Sequence, residues 1–199
     1  MIKAVISDLG GVFLNRGIWK FWYYVEKEYG ISFEKVKSSF LRHYKPYFSG
    51  EISEEDFWNR FLNEIKLKED WLELRSILLD FFEPNNGIIE LYKKLRGKGI
   101  RLVLLSDQTK EWWPFLDNKY EIESYFDKTI VSALIGVNKP DPKIYQLALE
   151  ASEAKPEECV FIDDLKHNLK PAERLGMKTV FYYKDTEQLK KELASFGVI

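Results

Sequence analysis

Lys3-Ala4-Val5-Ile6-Ser7-Asp8-Leu9-Gly10-Gly11-Val12 is the stretch from which the fold can be read. Val5 and Ile6 are branched and apolar, and the run stops at an acid followed by a glycine pair. A strand buried on both faces of a parallel sheet reads this way, as a continuous apolar run rather than an alternating one. Asp8 then falls at the carboxyl end of the strand, the edge where open α/β sheets hold their ligands. Taken alone, Asp8 could equally open a turn.

Similar strand ends recur along the chain. Ile100 to Leu105 form a second apolar run, closed by Ser106-Asp107. Thr129 to Ser132 form a third, followed by Gly136-Val137-Asn138-Lys139-Pro140-Asp141-Pro142. Cys159 to Ile162 lead into Asp163-Asp164, and Lys178 to Tyr182 make a fifth. Helical stripes lie between them: Ile88, Leu91, Tyr92 and Leu95; a short helix around Trp112 and Trp113 that Pro114 interrupts; Pro142 to Ala151; Leu169, Ala172 and Leu175; and Leu189 with Leu193. Strands alternating with helices imply a parallel sheet with right-handed crossovers.

Residues 15–83 break this rhythm. Ile18, Phe21, Trp22 and Val25 have helical spacing, with Gly30 behind them. Phe33, Val36, Phe40 and Tyr44 predict a second helix ending near Pro46. Ser53 and Asp56 resemble a capping box ahead of Phe57, Phe61 and Ile65. Trp71, Leu74, Leu78 and Phe82 predict a fourth helix. The expected architecture is α/β: a Rossmann-like three-layer core at 1–14 and 84–199, with a helical-bundle cap at 15–83 inserted after the first strand. The cap aromatics read as the bundle's own core.

The 199 residues fit one such domain with its insertion. Thirty basic and 32 acidic residues leave a net charge of -2, so no overall field points to nucleic acid or to a membrane surface. No apolar run reaches the length of a membrane span. The single cysteine, Cys159, precludes an internal disulfide, fits a reducing compartment and reads as core. A cytoplasmic location is expected.

In a parallel sheet, Asp8, Ser106, Lys139 and the Asp163-Asp164 pair share one edge. Three crowded carboxylates repel unless a cation joins them. Hard oxygen ligands in small number suit Mg²⁺, which retains waters and binds substrate phosphate. A hydroxyl and an ammonium serve the phosphate oxygens. A carboxylate aimed at phosphorus can act as a nucleophile.

Four segments in this order resemble the motifs of the haloacid dehalogenase-like superfamily of hydrolases: Ile6-Ser7-Asp8-Leu9-Gly10-Gly11-Val12, Leu104-Leu105-Ser106-Asp107, Asn138-Lys139-Pro140-Asp141-Pro142-Lys143-Ile144-Tyr145 and Phe161-Ile162-Asp163-Asp164. The continuation Leu165-Lys166-His167-Asn168-Leu169-Lys170-Pro171-Ala172 is similar to the branch with the phosphatase domain of soluble epoxide hydrolases and small sugar-phosphate phosphatases. The resemblance implies a Mg²⁺-dependent phosphatase acting on a small phosphorylated metabolite through an aspartyl-phosphate. Asp8 would be nucleophile and metal ligand, and Gly10 would lend its carbonyl to the metal. Ser106 would bind the phosphoryl group, and Lys139 would hold Asp8 and the phosphate. Asp164 would bind the metal, supported by Asp163, while Asn168 would orient their loop. His167 has no matched role and reads as a solvated residue.

Two positions depart from the family pattern. A second Asp, the general acid and base of most family phosphatases, is Gly10 here; losing such a group typically costs about 10²–10⁴-fold in rate. Asp107 stands where Asn commonly follows the motif-two hydroxyl, beside the expected phosphate. One hypothesis joins them: Asp107, or a cap residue, supplies the missing acid. Two other readings use the same residues. A catalytically weak binding module would treat Gly10 and Asp107 as marks of a retired site. A metal-free 2-haloacid dehalogenase would not need Asp163-Asp164, and would carry an aromatic at Gly10.

Overall fold

The computed structural model describes residues 1–199. Five strands, β1 (Ala4–Ser7), β2 (Arg101–Ser106), β3 (Lys128–Val131), β4 (Cys159–Asp163) and β5 (Lys178–Phe181), form one sheet in the order β3-β2-β1-β4-β5. All four pairings are parallel. Every residue of β1 is fully buried, as the continuous apolar run requires. In register, Ser7 faces Leu104 on one side and Ile162 on the other. The ends of β1, β2 and β4 therefore meet on one edge, where the chain changes direction across the sheet.

Four helices, α1 (Gly17–Tyr29), α2 (Phe33–Phe48), α3 (Glu54–Ile65) and α4 (Trp71–Asp80), lie between β1 and the next sheet crossover. Gly30 ends α1 in the left-handed conformation, with its N–H bonded to the Glu26 carbonyl. Ser53 caps α3 by accepting the Asp56 N–H at 3.0 Å. The remaining helices are α5 (Asn86–Gly97), α6 (Trp112–Tyr120), the single turn α7 (Ser132–Ile135), α8 (Pro142–Ser152), α9 (Lys166–Arg174) and α10 (Thr186–Ser195).

The end of α2 falls near Pro46, as the sequence predicts: the helix runs just past the proline and closes at Phe48. The last turn holds because Tyr47 stacks on Phe57 at 4.7 Å and Phe48 packs edge-on against Trp112, compensating the missing N–H. Pro114 does not interrupt α6 but lies in its first turn, where a backbone N–H has no helical partner to lose.

One continuous apolar core runs from the helical insertion onto one face of the sheet, joining Phe21, Phe40 and Phe57 to Val5, Ile88 and Leu102. The opposite face has its own smaller core around Ile6, Val103, Tyr145 and Phe161. No helix is long and apolar enough to cross a membrane.

Candidate active site

Asp8 directly follows β1, and its neighbours hold it from several sides. Its backbone N–H bonds the Ile162 carbonyl at 2.9 Å. On the buried flank, the Tyr92 hydroxyl of α5 donates to Ser7 Oγ at 2.6 Å, and Ser7 Oγ donates to the Asp8 carbonyl at 2.7 Å. Sequence reasoning gave Tyr92 only a place in a helical stripe; nothing local marks it as the strut beneath Asp8.

Lys139 reaches in from the loop before α8. Its Nζ donates to Asp8 Oδ1 at 2.6 Å and to Asp163 Oδ2 at 2.9 Å. Burial works against its charge, but Asp163, Asp8 and Asp107 outweigh that and keep the ammonium protonated well above the usual lysine range. Asp163 is saturated. Its two oxygens accept from Lys139, the Leu165 N–H and the Asn168 amide. Asn168 thus braces the loop after β4, as expected. Asp163 is placed to hold Lys139.

Asp164 faces the cavity and meets a residue the sequence did not single out. Arg16, just ahead of α1, donates from Nε to Asp164 Oδ2 at 2.6 Å and from Nη2 to the Asp164 carbonyl at 3.2 Å. The guanidinium also lies against the rings of Trp19 and Tyr183. Gly11, at φ +86°, passes so close that an added Cβ would overlap the Asp164 carboxylate. The second glycine of the pair is therefore required by close approach as well as by its backbone angle.

Asp8, Asp163 and Asp164 each offer an oxygen within 4.8 Å of the others. Three carboxylates face two fixed cations, Lys139 and Arg16. Burial raises the Asp8 carboxyl well above its ordinary range, Lys139 opposes this, and Asp163 and Asp164 add to it. Asp164 is also raised, by burial first, against the pull of Arg16. Asp8 keeps Oδ2 and Asp164 keeps Oδ1 free of hydrogen bonds within the chain, and the Gly10 carbonyl accepts none. Hard oxygen donors with surplus negative charge fit Mg²⁺.

Ser106 closes β2, buried at the same edge, with its hydroxyl unbonded within the chain. Asp107 accepts the Lys139 backbone N–H on Oδ1 at 2.9 Å. Its charge is thus met by Lys139. Burial, partly offset by that lysine, pushes its carboxyl up to about 6.

A cavity of about 370 Å³ lies over these groups, with Asp8, Gly10, Asp107, Lys139 and Asp164 on its core side. The helical insertion supplies the opposite wall, including Trp22, Phe40, Tyr44 and Phe48. His167 also lines it, exposed on the first turn of α9. A second cleft, of about 510 Å³, shares Asn15, Arg16 and Trp19 with this cavity.

Known proteins share parts of this sequence and this fold. Bifunctional epoxide hydrolase 2 of Sus scrofa is 27% identical over 214 residues, covering 96% of this chain and 38% of that protein. Glyceraldehyde 3-phosphate phosphatase of Pyrococcus furiosus is 32% identical over 112 residues, covering 55% of this chain and 46% of that protein. The matched segments span less than half of either relative. A HAD family enzyme of Bacteroides thetaiotaomicron, solved with magnesium and inorganic phosphate, shares the fold at a TM-score of 0.74 and 23% identity, covering 93% of this chain and 96% of that one. The family model described as haloacid dehalogenase-like hydrolase matches residues 2–176, from the strand that carries Asp8 to the glycine after α9. By that match the chain belongs to the haloacid dehalogenase-like hydrolases.

Proposed function

We propose that this protein is a Mg²⁺-dependent phosphatase of a small phosphorylated metabolite, with Asp8 as nucleophile. The observation that carries the reading is the meeting of Asp8, Lys139 and Asp164 at one sheet edge, with Asp163 holding the lysine. The phosphatase relative and the magnesium and phosphate in the Bacteroides structure support it.

Each residue then has a task. Lys139 orients Asp8 through Oδ1, whose second lone pair is left for the metal, and Oδ2 attacks phosphorus to form an aspartyl-phosphate. Ser106 and the Lys139 ammonium bind phosphoryl oxygens, and Asp107 fixes the Lys139 loop. Asp8, the Gly10 carbonyl and Asp164 hold the metal, with Asp163 behind them. When bound, Mg²⁺ neutralises the gathered carboxylates and the incoming phosphate. Water then cleaves the acyl phosphate, releasing inorganic phosphate and restoring the Asp8 carboxylate. The helical insertion, residues 15–83, acts as the cap that selects the substrate.

The test is p-nitrophenyl phosphate turnover with Mg²⁺ and with EDTA, on wild type and Asp8→Asn. The expected result is Mg²⁺-dependent release that falls to background in the variant. Equal release from both proteins would remove Asp8 as nucleophile.

A further inference from the structure

We infer that the substrate is an aromatic phosphomonoester whose leaving group is a stabilised oxyanion, such as a phenol, rather than a sugar phosphate. The inference rests on the phosphatase reading above and specifies its substrate class. Two independent observations meet in it.

The first is the cavity wall. Nine of its 21 lining residues are apolar, and six of those are aromatic: Trp19, Trp22, Phe40, Tyr44, Phe48 and Phe82. Trp22, Phe40, Phe48 and Phe82 are buried in the core directly behind this wall, and Trp19 and Tyr44 are the rings with accessible faces. Among the side chains that α1 and α2 bring to this wall, Lys37, Tyr44 and the indoles of Trp19 and Trp22 can donate to a sugar's hydroxyls, but only the Tyr44 oxygen can accept from them. A polyol placed there would leave polar groups without partners, at roughly 1–3 kcal/mol each. An aromatic ring would bury apolar area and gain edge or stacked contacts.

The second is proton supply. Gly10 can donate no proton to a departing oxygen. The other titratable groups are committed or unsuited. Lys139 bonds both Asp8 and Asp163. Asp107 keeps Oδ2 unbonded, but its Oδ1 accepts from the Lys139 N–H and the Lys139 ammonium draws the carboxyl towards its charged, proton-less form. Tyr44, whose hydroxyl is held far above its ordinary range by burial and then by Asp107, offers a hydrogen bond more readily than a proton. His167 lines the cavity from the exposed first turn of α9, but no hydrogen bond within the chain fixes its ring at the leaving oxygen. When Asp8 Oδ2 forms its bond to phosphorus, the bond to the leaving oxygen breaks and its electron pair stays on that oxygen. A phenolate, with a conjugate-acid pKa of about 10, can leave unprotonated and take its proton from solvent afterwards. An alkoxide, whose conjugate acid is nearly as weak as water, needs the proton during bond cleavage. Ring and leaving-group chemistry thus select the same class.

Space is not what excludes an acid here, because a Cβ added at Gly10 would meet nothing within 4 Å. That makes Gly10→Asp the decisive variant. The experiment measures kcat/KM with Mg²⁺ for phenyl phosphate, acetyl phosphate, glycerol 3-phosphate and glucose 6-phosphate, on wild type, Gly10→Asp and Asp8→Asn. Wild type is expected to favour phenyl phosphate over both alkyl esters by on the order of 10²-fold, the factor a general acid supplies. Gly10→Asp is expected to raise the alkyl esters by about 10²-fold, with a much smaller gain on phenyl phosphate. Alkyl esters turned over by wild type as fast as phenyl phosphate, or gaining nothing from Gly10→Asp, would overturn the inference and leave the phosphatase reading standing. Hydrolysis of no ester above Asp8→Asn, acetyl phosphate included, would remove both.

Should Gly10→Asp not fold, binding decides the ring. Phenylphosphonate and methylphosphonate are titrated against wild type with Mg²⁺, read by tryptophan fluorescence, to which Trp19 and Trp22 at the cavity contribute. Phenylphosphonate binding about tenfold tighter, the effect of 1.4 kcal/mol, supports the aromatic site. Equal affinities overturn it.

Discussion

Asp107 shows how far one side chain's chemistry is decided by what holds it. A carboxylate beside a phosphate site could serve as an acid, but its Oδ1 is bound by the Lys139 N–H, so its first task is to anchor that loop. An amide oxygen accepts the same bond. Turnover of Asp107→Asn should therefore fall less than tenfold, short of the roughly 10²–10⁴-fold that removal of a general acid costs. A larger loss would make Asp107 the acid and remove the ground for an aryl leaving group. The same residue has a pH signature. Burial raises its folded-state carboxyl to about 6, above its value in the unfolded chain, so ionising it at neutral pH opposes folding. Stability should rise as pH falls from about 6 towards about 4, in the direction Asp8 and Asp164 also push. Thermal unfolding without metal checks this, and Asp107→Asn should flatten the slope. The sequence marked every acid and the lysine, because each ends a strand or sits in a motif. Arg16 was not legible: its role comes from distance in space to Asp164, across most of the chain.

At the scale of elements, the insertion is fastened to α6. Glu54, buried at the start of α3, accepts from the Trp112 indole at 2.5 Å and from Arg75 Nε at 2.7 Å. Beside it the Tyr47 hydroxyl donates to Thr109 Oγ1 at 3.1 Å, and the Ser132 hydroxyl donates to the Phe48 carbonyl at 3.0 Å. Glu54→Ala strands an indole N–H and a guanidinium, a loss of about 3 kcal/mol. At roughly 2–4 °C per kcal/mol for a chain of this size, calorimetry should show Tm falling by about 6–12 °C. Helical spacing revealed all four helices of the insertion and the glycine after α1. It could not reveal the short run past Pro46, because the compensating contacts with Phe57 and Trp112 come from other elements. Nor could it show which aromatics turn a face to the cavity, since core and cavity wall share one composition.

For the molecule as a whole, the gathered acids tie stability to metal. If Mg²⁺ binds only the folded chain, a concentration 100 times its Kd adds about 2.7 kcal/mol, which raises Tm by roughly 5–11 °C. EDTA should reverse the rise in wild type, and the Asp164→Asn variant should show a smaller one. The α/β alternation was legible because β1, β2 and β4 are short buried runs. The position of β1 at the centre of the sheet has a consequence for the route by which the protein is made. Ala4 pairs with Arg101 on one flank and Cys159 on the other, so the first strand waits for partners encoded far downstream. Such distant closures slow folding. A ribosome releases the helical insertion before it releases β2, and β2 before β4. Nascent chains lacking Asp163 and Asp164 therefore carry the nucleophile without the acids and braces around it, and the site is completed only when β4 docks.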